Sequence, residues 1–72
     1  MKRLGEKLRI LRNRRGLTLR QLGELLDVDY GYAGRMERGE KTPNLAMLLK
    51  IANLFGVPAD QLMRDELELD NE

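Results

Sequence analysis

The chain has 72 residues, enough for one small domain, and it contains neither cysteine nor histidine. These absences exclude a disulfide framework and remove the usual zinc ligands, the thiol nucleophile and the usual neutral-pH base, so we expect no enzymatic activity, no metal and no cofactor. No apolar run approaches the roughly 20 residues that span a membrane, and no signal-peptide pattern opens the chain. We therefore expect a cytoplasmic protein with no membrane partner.

The net charge of +1 hides an uneven distribution. Residues 1–41 carry eleven Lys/Arg and six Asp/Glu, whereas residues 42–72 carry two and six. This division predicts a basic working face and an acidic far side.

Apolar residues recur at three- and four-residue steps, which is typical of amphipathic helices, and no clear strand alternation interrupts them. The clearest stripe comprises Leu45, Leu48, Ile51, Ala52 and Phe55. The sequence predicts an all-α fold of five helices, over about 2–15, 18–26, 29–38, 44–55 and 58–64. We expect an acidic, frayed tail over 65–72.

Signals for helix ends lie between these stripes. Thr18 with Gln21 forms a capping-box pattern, and Asp29 and Asn44 are suitable N-caps. Pro58 suits the first turn of the last helix. The glycines that follow the first, third and fourth helices can adopt the left-handed C′ conformation; they are Gly16, Gly39 and Gly56.

The segment from Thr18 to Arg38 has the length of a helix-turn-helix, two short helices joined by Asp27-Val28-Asp29. Gly23 lies inside the first of these helices, where it costs about 1 kcal/mol relative to alanine. We expect close approach of the two helices to compensate this cost, with Val28 filling the corner between them.

At 100° per residue, the helix predicted over 29–38 places Ala33, Met36 and Glu37 on one side. Its other side carries two glycines and two arginines, with a tyrosine on each flank; they are Gly31, Gly34, Arg35, Arg38, Tyr30 and Tyr32. A narrow face of this kind can enter a major groove, where arginine can bond O6 and N7 of guanine. The alternatives are solvated arginines on a weak helix and tyrosines that cover the edge of the core.

The run LTLRQLGELLDVDYGYAGRMERGEKTPNLAMLLKIANLFGVPADQL resembles the phage repressor and Cro-type helix-turn-helix family, also called the Xre family. With the first helix included, the resemblance covers about residues 4–64. It implies a compact five-helix lambda-repressor-like domain over 1–64 that binds double-stranded DNA and regulates transcription.

The resemblance also implies roles for individual positions. Tyr30, Gly31 and Arg35 fall where such domains touch base edges, with Tyr32 and Gly34 beside them. Backbone phosphates are expected at the start of the second helix and in the loop after the third; the matching positions are Thr18, Leu19, Lys41, Thr42 and Asn44. Many members have Gln where Leu19 stands, so we expect neighbours such as Arg20 to replace that contact, and we assign Arg38 to phosphate as well.

Arg12 and Glu37 lie on the core sides of their helices, and in this family residues at these positions often form a partly buried ion pair. Two further positions depart from the family pattern. Asp27 replaces the usual turn glycine, and Ala33 replaces a larger aliphatic residue, which thins the core.

The C-terminal region offers Leu62, Met63 and Leu67 as dimer contacts, because related short members commonly dimerise there. A two-fold dimer would bind half-sites about 34 Å apart. The favoured function is thus a dimeric repressor or controller that recognises a palindromic operator through the major groove. The alternative is a protein-interaction or antitoxin-like module, for which Ile10, Leu19, Leu25 and Leu49 could form a partner surface; no small-molecule ligand is indicated.

Overall fold

The structure is a computed structural model that describes residues 1–70, and within this range it consists of helices, turns and loops. The helices are α1 (Leu4–Arg14), α2 (Leu19–Leu26), α3 (Tyr30–Glu37), α4 (Leu45–Phe55) and α5 (Ala59–Met63). The all-α, five-helix prediction is confirmed. The predicted ranges differ from these bounds by at most two residues, since they included the capping positions.

Side-chain caps determine where three helices begin. Thr18 Oγ1 accepts the Gln21 N–H at 3.1 Å, and Gln21 Oε1 accepts the Thr18 N–H at 2.8 Å, which completes the capping box. Asp29 caps α3 by accepting the Gly31 N–H. Asn44 caps α4 by accepting the Met47 N–H. These contacts satisfy N–H groups that have no partner inside the helix.

The turn between α2 and α3 needs a left-handed residue, and Asp27 supplies it at φ 58°. Val28 then packs against the core, and its N–H donates to the Gly23 carbonyl at 2.8 Å. A Cβ at Gly23 would lie 2.8 Å from the Val28 carbonyl oxygen and 3.2 Å from the Tyr30 backbone. The predicted close approach of the two helices therefore explains the glycine.

Every helix contributes to one hydrophobic core. Its buried members are Leu4, Leu8, Leu11, Leu22, Leu26, Ala33, Met36, Leu48, Ile51, Ala52, Phe55 and Leu62. At Gly5, α1 touches α3 so closely that a Cβ would lie 2.5 Å from the carbonyl oxygens of Met36 and Glu37. This contact holds α3 against α1, and the face of α3 that carries Arg35 remains at the surface.

The C-terminal segment differs from the sequence prediction. Asp65 accepts the backbone N–H groups of Lys2 and Arg3, both at 2.9 Å, and the Arg3 guanidinium bonds both carboxylate oxygens of Glu68. Leu69 packs against the core. The expected fraying is therefore wrong for residues 65–70, because polar contacts with the start of α1 hold them; residues 71–72 lie outside the described range.

Lys7 is a buried cation that the sequence analysis missed. Its side chain has no exposed surface, and Nζ donates to the carbonyls of Gln61, Arg64 and Leu67 at 2.5, 2.9 and 2.7 Å. A signal was available, since Lys7 lies three residues after Leu4 and four before Leu11, inside the apolar stripe of α1. The ammonium satisfies carbonyls at the end of α5 and joins the C-terminal segment to α1. Within residues 1–70, no helix has the length and apolar character needed to cross a bilayer.

Candidate nucleic-acid interface

The outer face of α3 carries one arginine that extends from the domain. Ala33 and Met36 face the core and are buried, whereas Arg35, between them in sequence, is exposed. The helix thus divides as the helical wheel predicted for these three residues. Because α3 is held by α1 on one side and α2 on the other, Arg35 is presented from a rigid element.

Gly34 does not lie open on this face, contrary to the prediction. It is buried, and a Cβ there would lie 3.1 Å from Arg38 Nη1 and 3.7 Å from Leu19 Cδ1. The exposed side chain of Arg38 thus lies across the helix surface above Gly34. Glycine at this position makes room for the guanidinium, so a base cannot contact Gly34 unless Arg38 moves.

The two tyrosines occupy different environments. Tyr30 is 53% exposed, and the Arg20 guanidinium lies 5.4 Å from its ring centroid, within the range of a cation–π contact. Tyr32 is half-buried and packs against the core. Tyr30 therefore presents a polar tip beside Arg20, while Tyr32 belongs largely to the packing of α3, as the alternative interpretation expected. Gly31 is half-buried near the start of the helix.

A depression of about 230 Å³ lies between α1, α2 and α3. It is lined by Arg9, Arg12, Leu19, Gly34, Glu37 and Arg38. Thr18, the cap of α2, is exposed, and the N–H groups of the next two residues have no partner inside the helix. Arg9 and Arg38 are exposed at this depression, and together with the helix N-terminus they make the region suitable for an anion, whereas the charge of Arg12 is paired with Glu37. Sequence reasoning missed Arg9, because α1 showed it only as one of several exposed basic residues.

The loop after α3 places a second group of polar residues at the surface. The N–H groups of Glu40 and Lys41 donate to the Arg35 carbonyl at 2.9 and 3.4 Å, which ties the loop to α3. Lys41, Thr42 and Asn44 are all exposed. Lys41 and Thr42 also line a depression of about 480 Å³ together with Lys2. The Asn44 side chain is engaged as the cap of α4, so its phosphate role is not needed to explain its presence.

Arg12 and Glu37 line the depression between α1, α2 and α3, and their ion pair joins α1 to α3. Arg12 Nε donates to Glu37 Oε2 at 2.6 Å, and a second nitrogen donates to Oε1 at 3.2 Å. The remaining nitrogen donates to the Leu17 carbonyl at 2.8 Å, just ahead of the α2 cap. One guanidinium therefore joins the end of α1, the residue before the α2 cap and the end of α3.

Glu40 is an acidic residue within this otherwise basic surface. Its carboxylate accepts a hydrogen bond from Arg38 Nε at 2.8 Å. This bond holds the pKa of Glu40 below its usual value, and the positive charge of Arg35 lowers that pKa further. Glu40 is consequently ionised at neutral pH.

The residues expected to form a dimer contact do not share one environment. Met63 is 37% exposed and Leu67 is half-buried, but Leu62 has no exposed surface and is part of the core. Leu62 cannot contact a second copy of the folded chain, because it points into the space between α5 and the other helices. In the same described range, 1–70, no group of three or more acidic side chains could hold a metal ion.

Two helices packed across a short turn, with an exposed arginine on the second, define a helix-turn-helix domain. A family model described as a helix-turn-helix domain matches residues 3–67, and the chain belongs to this family.

Named relatives and solved structures agree with this assignment. The chain is 33% identical over 70 residues to the HTH-type transcriptional regulator ImmR of Bacillus subtilis, a match that covers 96% of this chain and 55% of ImmR. It is also 33% identical over 61 residues to the regulator DdrOP3 of Deinococcus deserti, covering 85% of this chain and 47% of DdrOP3. The chain thus spans about half the length of these curated relatives.

Two solved structures have the same fold. The restriction-modification controller protein C.AhdI from Aeromonas hydrophila matches with a TM-score of 0.76 and 33% identity, over 85% of this chain and 92% of C.AhdI. The DNA-binding domain of the P22 C2 repressor matches with a TM-score of 0.80 and 26% identity, over 94% of this chain and 90% of that domain. The resemblance to the phage repressor and controller type is confirmed.

Proposed function

We propose that this chain is a transcriptional regulator that binds double-stranded DNA in a sequence-specific manner and inserts α3 into the major groove. The observation that carries the proposal is the exposure of Arg35 on the outer face of a helix whose opposite face is buried. A guanidinium in that position can donate two hydrogen bonds to guanine. The names of the relatives, which are transcriptional regulators and a controller protein, support the same activity.

Phosphate contacts would flank this base contact on both sides. On the α2 side we assign them to Thr18, Leu19, Arg20 and Arg38, and we add Arg9 because it borders the same depression as Arg38. On the loop side we assign them to Lys41, Thr42 and Asn44, which are exposed together. Contacts of this type set affinity and orientation, whereas base contacts set sequence preference.

The proposed regulator acts as a dimer on a palindromic operator. Met63 and Leu67 are apolar residues near the end of the described chain that retain exposed surface, so the proposed contact is limited to them and no longer includes Leu62. A dimer of this kind would place its two recognition helices about one DNA turn, roughly 34 Å, apart. Met63→Glu should then shift the sedimentation profile toward monomer, while Leu25→Glu, on α2, should leave it unchanged.

The decisive experiment selects binding sites from random duplex DNA with the purified protein at near-physiological salt. An enriched palindrome with half-sites about one helical turn apart would support a dimeric, sequence-specific regulator. A single enriched half-site would support base recognition but contradict the dimer. No enrichment with folded, monodisperse protein would refute DNA recognition.

Two substitutions separate base recognition from phosphate binding. Arg35→Ala should relax the preference at one base position and cost about 1–3 kcal/mol on the selected site. Lys41→Ala should weaken binding evenly across sequences and reduce the salt slope by about one. Unchanged preference in the first variant would remove Arg35 from the base-contact set.

A protein-interaction module is the second candidate. It is favoured by leucines that remain about half exposed, Leu25 at 50% and Leu49 at 46%. Leu25 also borders an apolar depression of about 250 Å³ with Leu17. Failure to select DNA, together with the same leucines protected from labelling in a complex, would support this candidate.

A further inference from the structure

Glu40 lies at the end of the recognition helix, and this inference rests on the DNA-binding function proposed above. Its N–H donates to the Arg35 carbonyl at 2.9 Å, directly after Gly39, which has a φ of 78°. The backbone of Glu40 is thus anchored to the last turn of α3. The side chain of Glu40 therefore starts from a backbone position that is hydrogen-bonded to the helix.

The Glu40 carboxylate binds Arg38, the second arginine of the α3 surface. The bond from Arg38 Nε is 2.8 Å long, and the two side chains are 58% and 56% exposed. Arg38 at the same time lies back over Gly34, where a Cβ would be 3.1 Å from Nη1. The Glu40 carboxylate therefore occupies Nε of Arg38 and pairs with its charge, while more than half of the Arg38 side chain remains exposed.

A carboxylate offers a guanidinium the same kind of charged oxygen acceptors as a phosphate does. Exposed ion pairs contribute little to folding stability. The effect of this pair should therefore appear in DNA binding, where each phosphate neutralised by the protein releases counterions. While the Glu40 carboxylate neutralises Arg38, this arginine neutralises a DNA phosphate less completely, and fewer counterions are released.

We propose that Glu40 is an internal competitor for Arg38 that lowers the affinity of the domain for the phosphate backbone of duplex DNA. Binding to non-specific DNA depends almost entirely on such backbone contacts. Because phosphate contacts are common to all duplex sequences, Glu40 should lower the affinity for specific and non-specific DNA alike, and base contacts by Arg35 should still set the sequence preference.

The chain offers a matched control for testing this role. Glu66 also accepts a hydrogen bond from an arginine two residues earlier, Arg64, in an exposed pair. Glu66 lies in the acidic C-terminal segment, outside the proposed DNA-binding surface. The variants E40Q and E66Q raise the net charge by the same amount, so only the position of the lost carboxylate differs.

The experiment measures binding of a random-sequence 20-base-pair duplex over a range of salt concentrations. Because one phosphate contact changes the salt slope by about 0.9, E40Q should bind about fivefold more tightly at 150 mM salt, with a slope steeper by about 0.9. E66Q should change the affinity by less than about twofold. Equal effects of the two variants would overturn the proposal while leaving the proposed function intact; wild-type protein that binds no duplex would instead refute that function.

A double-mutant cycle then separates competition from simple repulsion of DNA by Glu40. In an R38Q background, E40Q should bind no more tightly than E66Q does in that background, because the arginine for which Glu40 competes is gone. A gain of about fivefold that persists without Arg38 would show that Glu40 acts on DNA directly, and the competitor role would be wrong. Circular dichroism melts of all variants verify that each one is folded.

Discussion

Arg12 and Glu37 form a two-point ion pair between α1 and α3, with Nε–Oε2 and Nη2–Oε1 separations of 2.6 and 3.2 Å. The side chains are 15% and 6% exposed, so the pair is largely withdrawn from water. Both side chains line the depression between α1, α2 and α3, together with Leu19 and Arg38. The geometry of the candidate DNA surface therefore depends on a contact that does not itself need to touch DNA.

Removing one member of this pair should destabilise the fold, because the other charge would remain buried without a partner. We expect Arg12→Met or Glu37→Gln to lower the free energy of unfolding by about 3 kcal/mol. The double variant Arg12→Met/Glu37→Leu should recover much of this loss, since it leaves no unpaired charge. Urea unfolding measures all three, and single variants within about 0.5 kcal/mol of wild type would contradict the prediction.

Lys7 should be required for the attachment of α5 and the segment that follows it. Lys7→Met removes a buried ammonium that serves three carbonyls, and we expect a loss of about 2 kcal/mol in unfolding free energy together with faster amide exchange in residues 64–70. Lys50→Met is the matched control, because exposed Lys50 bonds one carbonyl, that of Leu26. If the two variants lose the same unfolding free energy, the three hydrogen bonds of Lys7 stabilise the fold no more than the single hydrogen bond of Lys50.

Docking of the C-terminal segment should weaken in acid. The N–H groups of Arg3 and Lys2 lower the pKa of Asp65, and the Arg3 guanidinium lowers that of Glu68. The pKa of each carboxyl is lower in the folded protein than in the unfolded chain, where the ordinary values are 3.8 for Asp65 and 4.5 for Glu68. The stabilisation is therefore complete above these ordinary values and is lost as the pH falls through the lower pKa values of the folded state. Asp65→Asn should therefore be less stable than wild type at neutral pH, and this difference should shrink below about pH 4. Urea unfolding of both proteins across this pH range is the test, and a constant difference would contradict it.

Arg9 should contact a phosphate, although the sequence analysis did not assign it. We expect Arg9→Gln to weaken binding evenly across duplex sequences and to reduce the salt slope by about one. Arg14→Gln is the control on the same helix, since Arg14 bonds the Asp70 carbonyl in the C-terminal segment. If both variants lower the affinity equally, the effect reflects net charge alone and Arg9 has no particular role.

The local features of the domain could be predicted from the sequence because they depend on residues a few positions apart. The Thr18–Gln21 capping box and the left-handed Asp27 are encoded within one or two turns of helix. The reason for Gly23 was also accessible, since a glycine inside a helix next to a tight turn implies contact between backbones. Arg35 was placed on the outer face by helical periodicity alone.

The errors at Gly34 and Leu62 have different origins. A helical wheel placed Gly34 on the outer face, but a wheel does not show what covers a residue, and Arg38 and Leu19 cover Gly34. Leu62 was offered as a dimer contact by the family resemblance, and the packing of α5 against the other helices buries it.

The sequence by itself determined the helices, their caps, the turn and the family, because these follow from short-range spacing and hydrophobic periodicity. Only the tertiary structure decided how Lys7 and Asp65 join the two ends of the chain, since their partners are 54 to 63 residues away. It likewise decided that Arg9 of α1 shares a depression with Arg38 at the end of α3. The strength of an interaction between charged or polar groups depends on the distance between them, and for residues far apart in the sequence the fold sets that distance.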